Sequence, residues 1–210
     1  MGFDPAVFVD DDGRAYGYWG FTRSFAAELD PNTMATIKPG TSQINDMIGS
    51  CNDQDGNDFR FFEASSLRKV EDKYVLVYSR KTKDGEYGLG ESNSTLAYAY
   101  ADAPLGPWTY GGTIVDARGP EIGENGQMIT SQPSHNTHGS IIEINGQWYI
   151  FYHRAINNDG YSRQAMVEPI NVNVTEDGKV VITGITTIKD AFDNEYTGAE
   201  VTSEGLRLMD

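Results

Sequence analysis

Three ionisable residues of different type, Asp4, Glu63 and His138, each open a segment with one shared layout. The first segment reads DPAVFVDDDGRAYGYW, the second EASSLRKVEDKYVLVY and the third HGSIIEINGQWYIFY. Each passes from the ionisable residue through a short apolar strand and a tight turn into an aromatic-rich return strand. Two carboxyl groups and an imidazole brought to one place could cleave an acetal bond between sugars. One carboxyl would protonate the leaving oxygen, and a carboxylate would activate water or attack the anomeric carbon.

These residues lie far apart in the chain, 59 positions from Asp4 to Glu63 and 75 from Glu63 to His138, so the fold must gather them. The turns DDDG (Asp10 to Gly13), VEDK (Val70 to Lys73) and ING (Ile144 to Gly146) carry the Asp, Asn and Gly residues that tight hairpins require. The spacing exceeds a hairpin and suits four strands with loops, the content of one propeller blade. In a propeller the innermost strand of each blade lines the axis, which would place all three residues in one funnel. Further strands are expected at Leu96 to Ala101 and Val180 to Ile188, and a short helical turn at Thr22 to Leu29. The expectation is one all-β domain over residues 1–210, supplying about three blades of a propeller. Closed propellers have about four to eight blades, so the remaining N-terminal blades would be missing or come from another chain.

Composition narrows the partners. A net charge of −15 repels nucleic acid and anionic membrane, which leaves neutral ligands. No apolar run reaches the roughly 18 to 20 residues of a membrane span, and MGFDPAVF has no signal-peptide character. Localisation stays open, with a secreted or periplasmic setting expected for the native protein. A lone cysteine, Cys51, excludes an internal disulfide and a multi-cysteine metal site.

The three segments together resemble glycoside hydrolase family 43 over nearly the whole chain. DPAVFVDDDGRAYGYWG is similar to that family's second aspartate motif, FFEASSLRKVEDKYVLVYS to its glutamate motif, and NTHGSIIEINGQWYIFYHR to its last-blade histidine motif. SRQAMVEPI (Ser162 to Ile170) stands in the usual downstream place. The resemblance implies a five-bladed β-propeller and an inverting hydrolase of arabinose- or xylose-containing plant polysaccharides or their oligosaccharides. It makes Glu63 the general acid and Asp4 the group that orients it and raises its pKa. It also places His138 on the funnel floor, touching a central Ca2+ directly or through water. The general base of the family comes from a blade upstream of Asp4, so the chain alone is expected to be inactive or nearly so. A non-catalytic carbohydrate-binding propeller is the alternative.

Around this set, Trp19, Phe62 and Arg163 are candidate sugar contacts, with blade packing competing for Trp19 and surface pairing for Arg163. Phe61 and Phe62 form an apolar neighbourhood expected to keep Glu63 protonated near neutral pH. His153, inside YIFYHR, reads as structural, and the DDDG turn lacks the spaced ligands of an EF-hand.

Overall fold

The computed structural model describes residues 1–184 apart from 55 and 158, and beyond these the backbone of 188–189, 195–196 and 206–207. The first antiparallel sheet contains β1 (Ala6–Val9), β2 (Ala15–Trp19), β3 (Phe25–Leu29) and β4 (Ile44–Asn45), in sequence order. The second contains β5 (Phe61–Val70), β6 (Lys73–Arg80), β7 (Thr95–Ala101) and β8 (Thr109–Asp116). A small hairpin, β9 (Pro120–Ile122) and β10 (Met128–Thr130), leads to the third sheet. That sheet is β11 (Gly139–Ile144), β12 (Gln147–Ile156), β13 (Asp159–Val174) and β14 (Val180–Gly184), with Leu206–Arg207 added beside β13. Three meandering sheets of this kind are three propeller blades. Among the described residues the helical content is one 3-10 turn, Glu86–Gly88, and no helix is long and apolar enough to cross a membrane.

All three expected hairpins form, each for a local reason. Between β1 and β2, Asp10 N–H donates to the Arg14 carbonyl at 2.8 Å and Gly13 N–H to the Asp10 carbonyl at 2.9 Å. Between β11 and β12, Asn145 (φ 52°) and Gly146 (φ 81°) both take positive φ, the geometry whose twist matches the flanking strands. The strand expected at Leu96 to Ala101 is β7, extended by Thr95.

One expectation needs revision. The segment Thr22 to Leu29 contains no helical turn; its FAAEL part is β3, paired with β2 through Trp19↔Phe25 to Ala15↔Leu29. Burial of Ala26, Ala27 and Leu29 in the blade outweighs the helix preference of alanine and leucine. Of the strand expected at Val180 to Ile188, β14 covers the first part, and residues 185–187 lie outside the described residues.

The core lies between blades. Tyr18, Phe61, Leu67, Leu76 and Tyr78 fill the space between the first and second. Leu96, Ile114, Ile141, Ile150, Met166 and Ile170 fill that between the second and third. Each such side chain contributes about 1.5–3 kcal/mol by leaving water. Polar bridges fix the stacking. Tyr74 Oη donates to buried Asp10 at 2.6 Å, and Ser66 Oγ donates to Ser140 Oγ at 2.8 Å. The hydroxyl of Tyr98 donates to the Val180 carbonyl at 3.1 Å and accepts from Ile182 N–H at 3.2 Å. Two inner strands are less covered: Val7 and Val9 on β1, and Ile142 and Ile144 on β11, are each 42–48% exposed. Inner-strand apolar residues left this open match an arc of blades rather than a closed ring.

Gly111 on β8 tests the interblade packing, because a Cβ there would lie 2.1 Å from the Tyr98 ring. Gly111→Ala is expected to displace that ring and its hydrogen bonds to β14, destabilising the chain by about 1–3 kcal/mol in urea unfolding. An unchanged urea midpoint would show that β8 can move away from Tyr98 without cost.

Candidate active site

The three inner strands bring the ionisable residues together as their shared layout predicts. β5 packs between β1 and β11, so Asp4 ahead of β1, Glu63 in β5 and His138 ahead of β11 converge at one end of the arc. One carboxylate oxygen of Asp4, one of Glu63 and a ring nitrogen of His138 all lie within 4.8 Å of one another. His138 Nε2 is 2.9 Å from Glu63 Oε1 and 3.8 Å from Asp4 Oδ2.

Backbone irregularity aims these groups. The β5–β6 register shifts on both sides of Glu63, and Ala64 takes φ 57°, so a bulge turns the glutamate out of the regular pleat. Asp4 also takes a positive φ, 45°, unusual outside glycine. Off-pattern backbone at two of three convergent residues is the kind of strain that accumulates at functional sites.

Glu63 is 3% exposed, and its surroundings overturn one expectation. Burial pushes its carboxyl pKa up, as the neighbouring phenylalanines suggested. Hydrogen bonds from His138 and Asn136, together with the charges of His138 and Arg163, outweigh burial and hold it below the ordinary glutamate value. The reason is geometric: Asn136 Nδ2 and His138 Nε2 both donate to Oε1 at 2.9 Å. An ionised carboxylate only accepts, so His138 carries its hydrogen on Nε2 in this contact. With Oε1 engaged twice, Oε2 is the oxygen left for a reacting group.

Beside these residues is a cavity of about 300 Å³ lined by Asp4, Pro5, Ala64, Ser65, His138 and Gly139. That volume sits at the small end of ligand pockets, which run from about 300 to 1,000 Å³. Two of its lining atoms, Asp4 Oδ2 and Ser65 Oγ, are buried with no hydrogen-bond partner. Such orphans are rare, and a ligand rich in hydroxyls would satisfy both.

The remaining candidates divide. Arg163 reaches the site indirectly, its Nη2 donating to Asn136 Oδ1 at 3.1 Å. Phe62 stands next to Glu63 with its ring 5.2 Å from that of Phe21. Trp19, expected as a sugar contact, is a packing residue instead. It is buried, stacks on Phe25 at 6.2 Å and is covered by Gly2, so no sugar reaches it. His153 is structural in position, its ring 5.5 Å from that of His138 and both nitrogens buried without partners. Asn136 and Ser65 were not anticipated. Asn136 lies two residues before His138, a spacing that puts both on one face of an extended chain, which is the signal that could have found it.

For calcium the donor set fits poorly. Hard Ca2+ seeks six to eight oxygen ligands, whereas here one of the three converging groups is an imidazole whose nitrogen is turned to Glu63, and the two carboxyl groups supply too few oxygens to complete such a shell. Direct ligation by His138 would break the contact that orients Glu63, leaving a water-mediated arrangement as the compatible one.

An all-β arc of three blades, with a carboxylate pair and an imidazole gathered at one end of its inner strands, defines part of a β-propeller. Residues 1–180 match the Glycosyl hydrolases family 43 model. A xylosidase/arabinosidase of Thermoclostridium stercorarium is 33% identical, aligned over 85% of this chain and 37% of its own length. Xylosidase/arabinosidase 43A of Humicola insolens is 30% identical over 85% of this chain and 58% of its own. Among solved structures, a family 43 β-xylosidase/α-arabinofuranosidase from a compost metagenome, in complex with xylotriose and in calcium-free form, superposes with TM-score 0.56 at 25% identity. The superposition covers 84% of this chain and 56% of that one. An arabinoxylan arabinofuranohydrolase from Bacillus subtilis in complex with cellotetraose superposes with TM-score 0.58 at 24% identity, over 89% of this chain and 39% of that one. The chain belongs to glycosyl hydrolases family 43, spans about half or less of these relatives, and forms part of a five-bladed propeller.

Two measurements test the electrostatics. Asn136→Leu removes one of two donors to Oε1, so the Glu63 carboxyl is expected to titrate higher, toward the ordinary glutamate value, in a carbon-13 NMR titration. No movement would mean that His138 alone sets it. The second concerns His153, whose burial, with the nearby charges of His138 and Arg163, lowers its pKa from 6.5 to about 4. The unfolded chain binds this proton near 6.5 and the folded chain only near 4, so its stabilising effect is complete above that window and lost as pH falls through it. His153→Phe should therefore show a smaller loss of stability than the wild type between neutral pH and about pH 5, read from urea midpoints.

Proposed function

We propose that the chain carries the proton-donor half of a glycosidase acting on arabinose- or xylose-containing plant polysaccharides or their oligosaccharides. The observation that carries this reading is the cavity beside Glu63, where buried Asp4 Oδ2 and Ser65 Oγ have no hydrogen-bond partner. A pentose placed there would offer its hydroxyls to both and bring its anomeric carbon to the carboxyl group. The names of the relatives, xylosidases and arabinosidases, point to the same class of sugar.

Glu63 would protonate the leaving oxygen through Oε2. Asp4 and His138 would hold it in place, His138 from the cavity floor, while Arg163 keeps Asn136 turned toward Oε1. Asp4 does not suit the base of an inverting reaction. Such a carboxylate stands about 6.5–9.5 Å from the acid to admit a water, whereas the Asp4 and Glu63 oxygens are within 4.8 Å with an imidazole wedged between them. The base therefore comes from outside the chain, from an upstream blade or another polypeptide. A further carboxylate in the funnel, and a sugar that excludes water, would both push the Glu63 pKa up from its lowered position. That would restore the protonated state the role needs. Calcium on the axis, as suggested by the calcium-free form of the compost relative, would be reached by His138 through water and would supply fixed positive charge.

One feature favours the alternative of a carbohydrate-binding propeller: in the chain as it stands the hydrogen bonds from His138 and Asn136 hold the Glu63 carboxyl below its ordinary value, against a proton donor's need. Kinetics separate the two. The chain alone is expected to leave aryl arabinofuranosides and xylosides at background. Expressed with its native upstream region it should hydrolyse one of them with inverted anomeric configuration, followed by proton NMR of the first product. In that protein Glu63→Gln is expected to lose about 10²- to 10⁴-fold on oligosaccharides. The loss should be far smaller on dinitrophenyl glycosides, whose leaving group needs no proton. Equal losses on both substrates would remove Glu63 from the donor role. Retained configuration would make Asp4 the nucleophile.

A further inference from the structure

The three converging groups are also a set of metal ligands, and their geometry suits an ion other than calcium. Among the described residues, Asp4, Glu63 and His138 are the one group of three ligand-type side chains gathered within 4.8 Å. Glu63 Oε1 and Asp4 Oδ2 stand 2.9 Å and 3.8 Å from His138 Nε2. Ligands placed tetrahedrally around zinc, with bonds of about 2.0–2.1 Å, lie about 3.3–3.4 Å apart along each edge. The two measured separations bracket that edge, so small side-chain shifts would seat the ion. Asp4 Oδ2 is buried with no hydrogen-bond partner, and ligation would cost it no existing hydrogen bond.

Charge and donor type select the ion. Two carboxylates and a neutral imidazole carry a charge that one divalent cation cancels, and the net charge of −15 raises the local concentration of cations. Calcium needs six to eight oxygens. Zinc and its neighbours accept imidazole and carboxylate together, and three protein ligands with a fourth position open is a familiar zinc arrangement. The next layer of contacts supports ligation as well. Asn136 Nδ2 donates to Glu63 Oε1 at 2.9 Å, and Asn136 Oδ1 accepts from Arg163 Nη2 at 3.1 Å. Hydrogen bonds of this kind hold a ligating carboxylate in place.

We propose that Asp4, Glu63 and His138 form a three-ligand site for a divalent ion of the zinc class, and that filling it shuts off the proton donor. The first half stands on the geometry alone, and the second rests on the catalytic reading above. The ion takes the place of the hydrogen between His138 and Glu63. His138 then ligates through the Nε2 lone pair and carries its hydrogen on Nδ1, so the neutral ring neither gains nor loses a proton. Glu63, ligated as the anion, has no proton to give. Metal and sugar compete, because Asp4 and His138 also line the cavity.

The test is calorimetric titration of the 210-residue chain with zinc chloride and with calcium chloride. One zinc per chain is expected, bound at least about a hundredfold tighter than calcium. Asp4→Asn and His138→Gln should each weaken zinc about a hundredfold or more, since losing an outer-layer partner alone weakens metal binding about 10- to 100-fold. Cys51→Ser, which removes the one thiol, should keep the wild-type affinity. The Asp4 and His138 side chains are 30% and 33% exposed, so both variants should fold. Thermal melts check this, and zinc should raise the melting temperature of the wild type but not of the variants. Cobalt chloride added to the wild type should give the intense visible absorption of a four-coordinate ion. Zinc bound equally by the wild type and both variants, calcium bound as tightly as zinc, or the pale spectrum of six-coordinate cobalt would each overturn the site. In the protein with its native upstream region, zinc should inhibit hydrolysis and EDTA should restore it. Zinc held by the three residues with hydrolysis untouched would leave the site standing and overturn the shut-off, and with it Glu63 as the donor.

Discussion

The double hydrogen bond onto Glu63 Oε1 is the contact on which the site depends. Its donors, His138 and Asn136, belong to the approach to the third blade, while its acceptor sits on the inner strand of the second. The backbone beside it is bridged to the first blade at Phe21. One carboxyl group thus joins three sheets, and any slip between blades would break the arrangement. A buried carboxylate with two donors is also stable as an anion, which is why burial fails to raise its pKa here.

That geometry requires rigid blades, and the interblade cores supply the rigidity. Tyrosines do double duty in them. Tyr74 and Tyr98 bury their rings and use their hydroxyls to tie one blade to the next, to Asp10 and to β14 respectively. The bulge at Glu63 is tolerated because β5 is packed on both sides, by β1 and β11. The strain of Ala64 is local and is balanced by burial over a ten-residue strand.

Polar and apolar groups meet at this site. The cavity presents oxygens that lack hydrogen-bond partners and suit hydroxyls, while Phe3, Phe21 and Phe62 pack edge-on to one another beside Asp4 and Glu63 in the chain. The backbone of Phe21 is bridged to Glu63, so the aromatic contacts and the carboxyl group share one piece of the inner strands.

Much of the fold was legible in the sequence because hairpins are local. Asn-Gly and Asp-Gly pairs select their turns over a few residues, and a layout that occurs three times announces blades without any knowledge of how they pack. The convergence of Asp4, Glu63 and His138 was legible for the same reason, since equivalent positions in repeated units must surround one axis. Burial could not be read in this way. Trp19 and Phe21 are aromatic neighbours on either side of one glycine, and only blade stacking buries the first and leaves the second half exposed. The FAAEL segment has helix-favouring residues, and only the partner strand β2 makes it a strand. The charge state of Glu63 was hidden too. Its nearest sequence neighbours are apolar and predict a raised pKa, but the groups that lower it come from more than 70 residues away. The sequence alone determined the family, the blades and the identity of the converging groups. Tertiary structure decided which way each group points and what its carboxyl groups meet, because hydrogen bonding and burial act through space rather than along the chain.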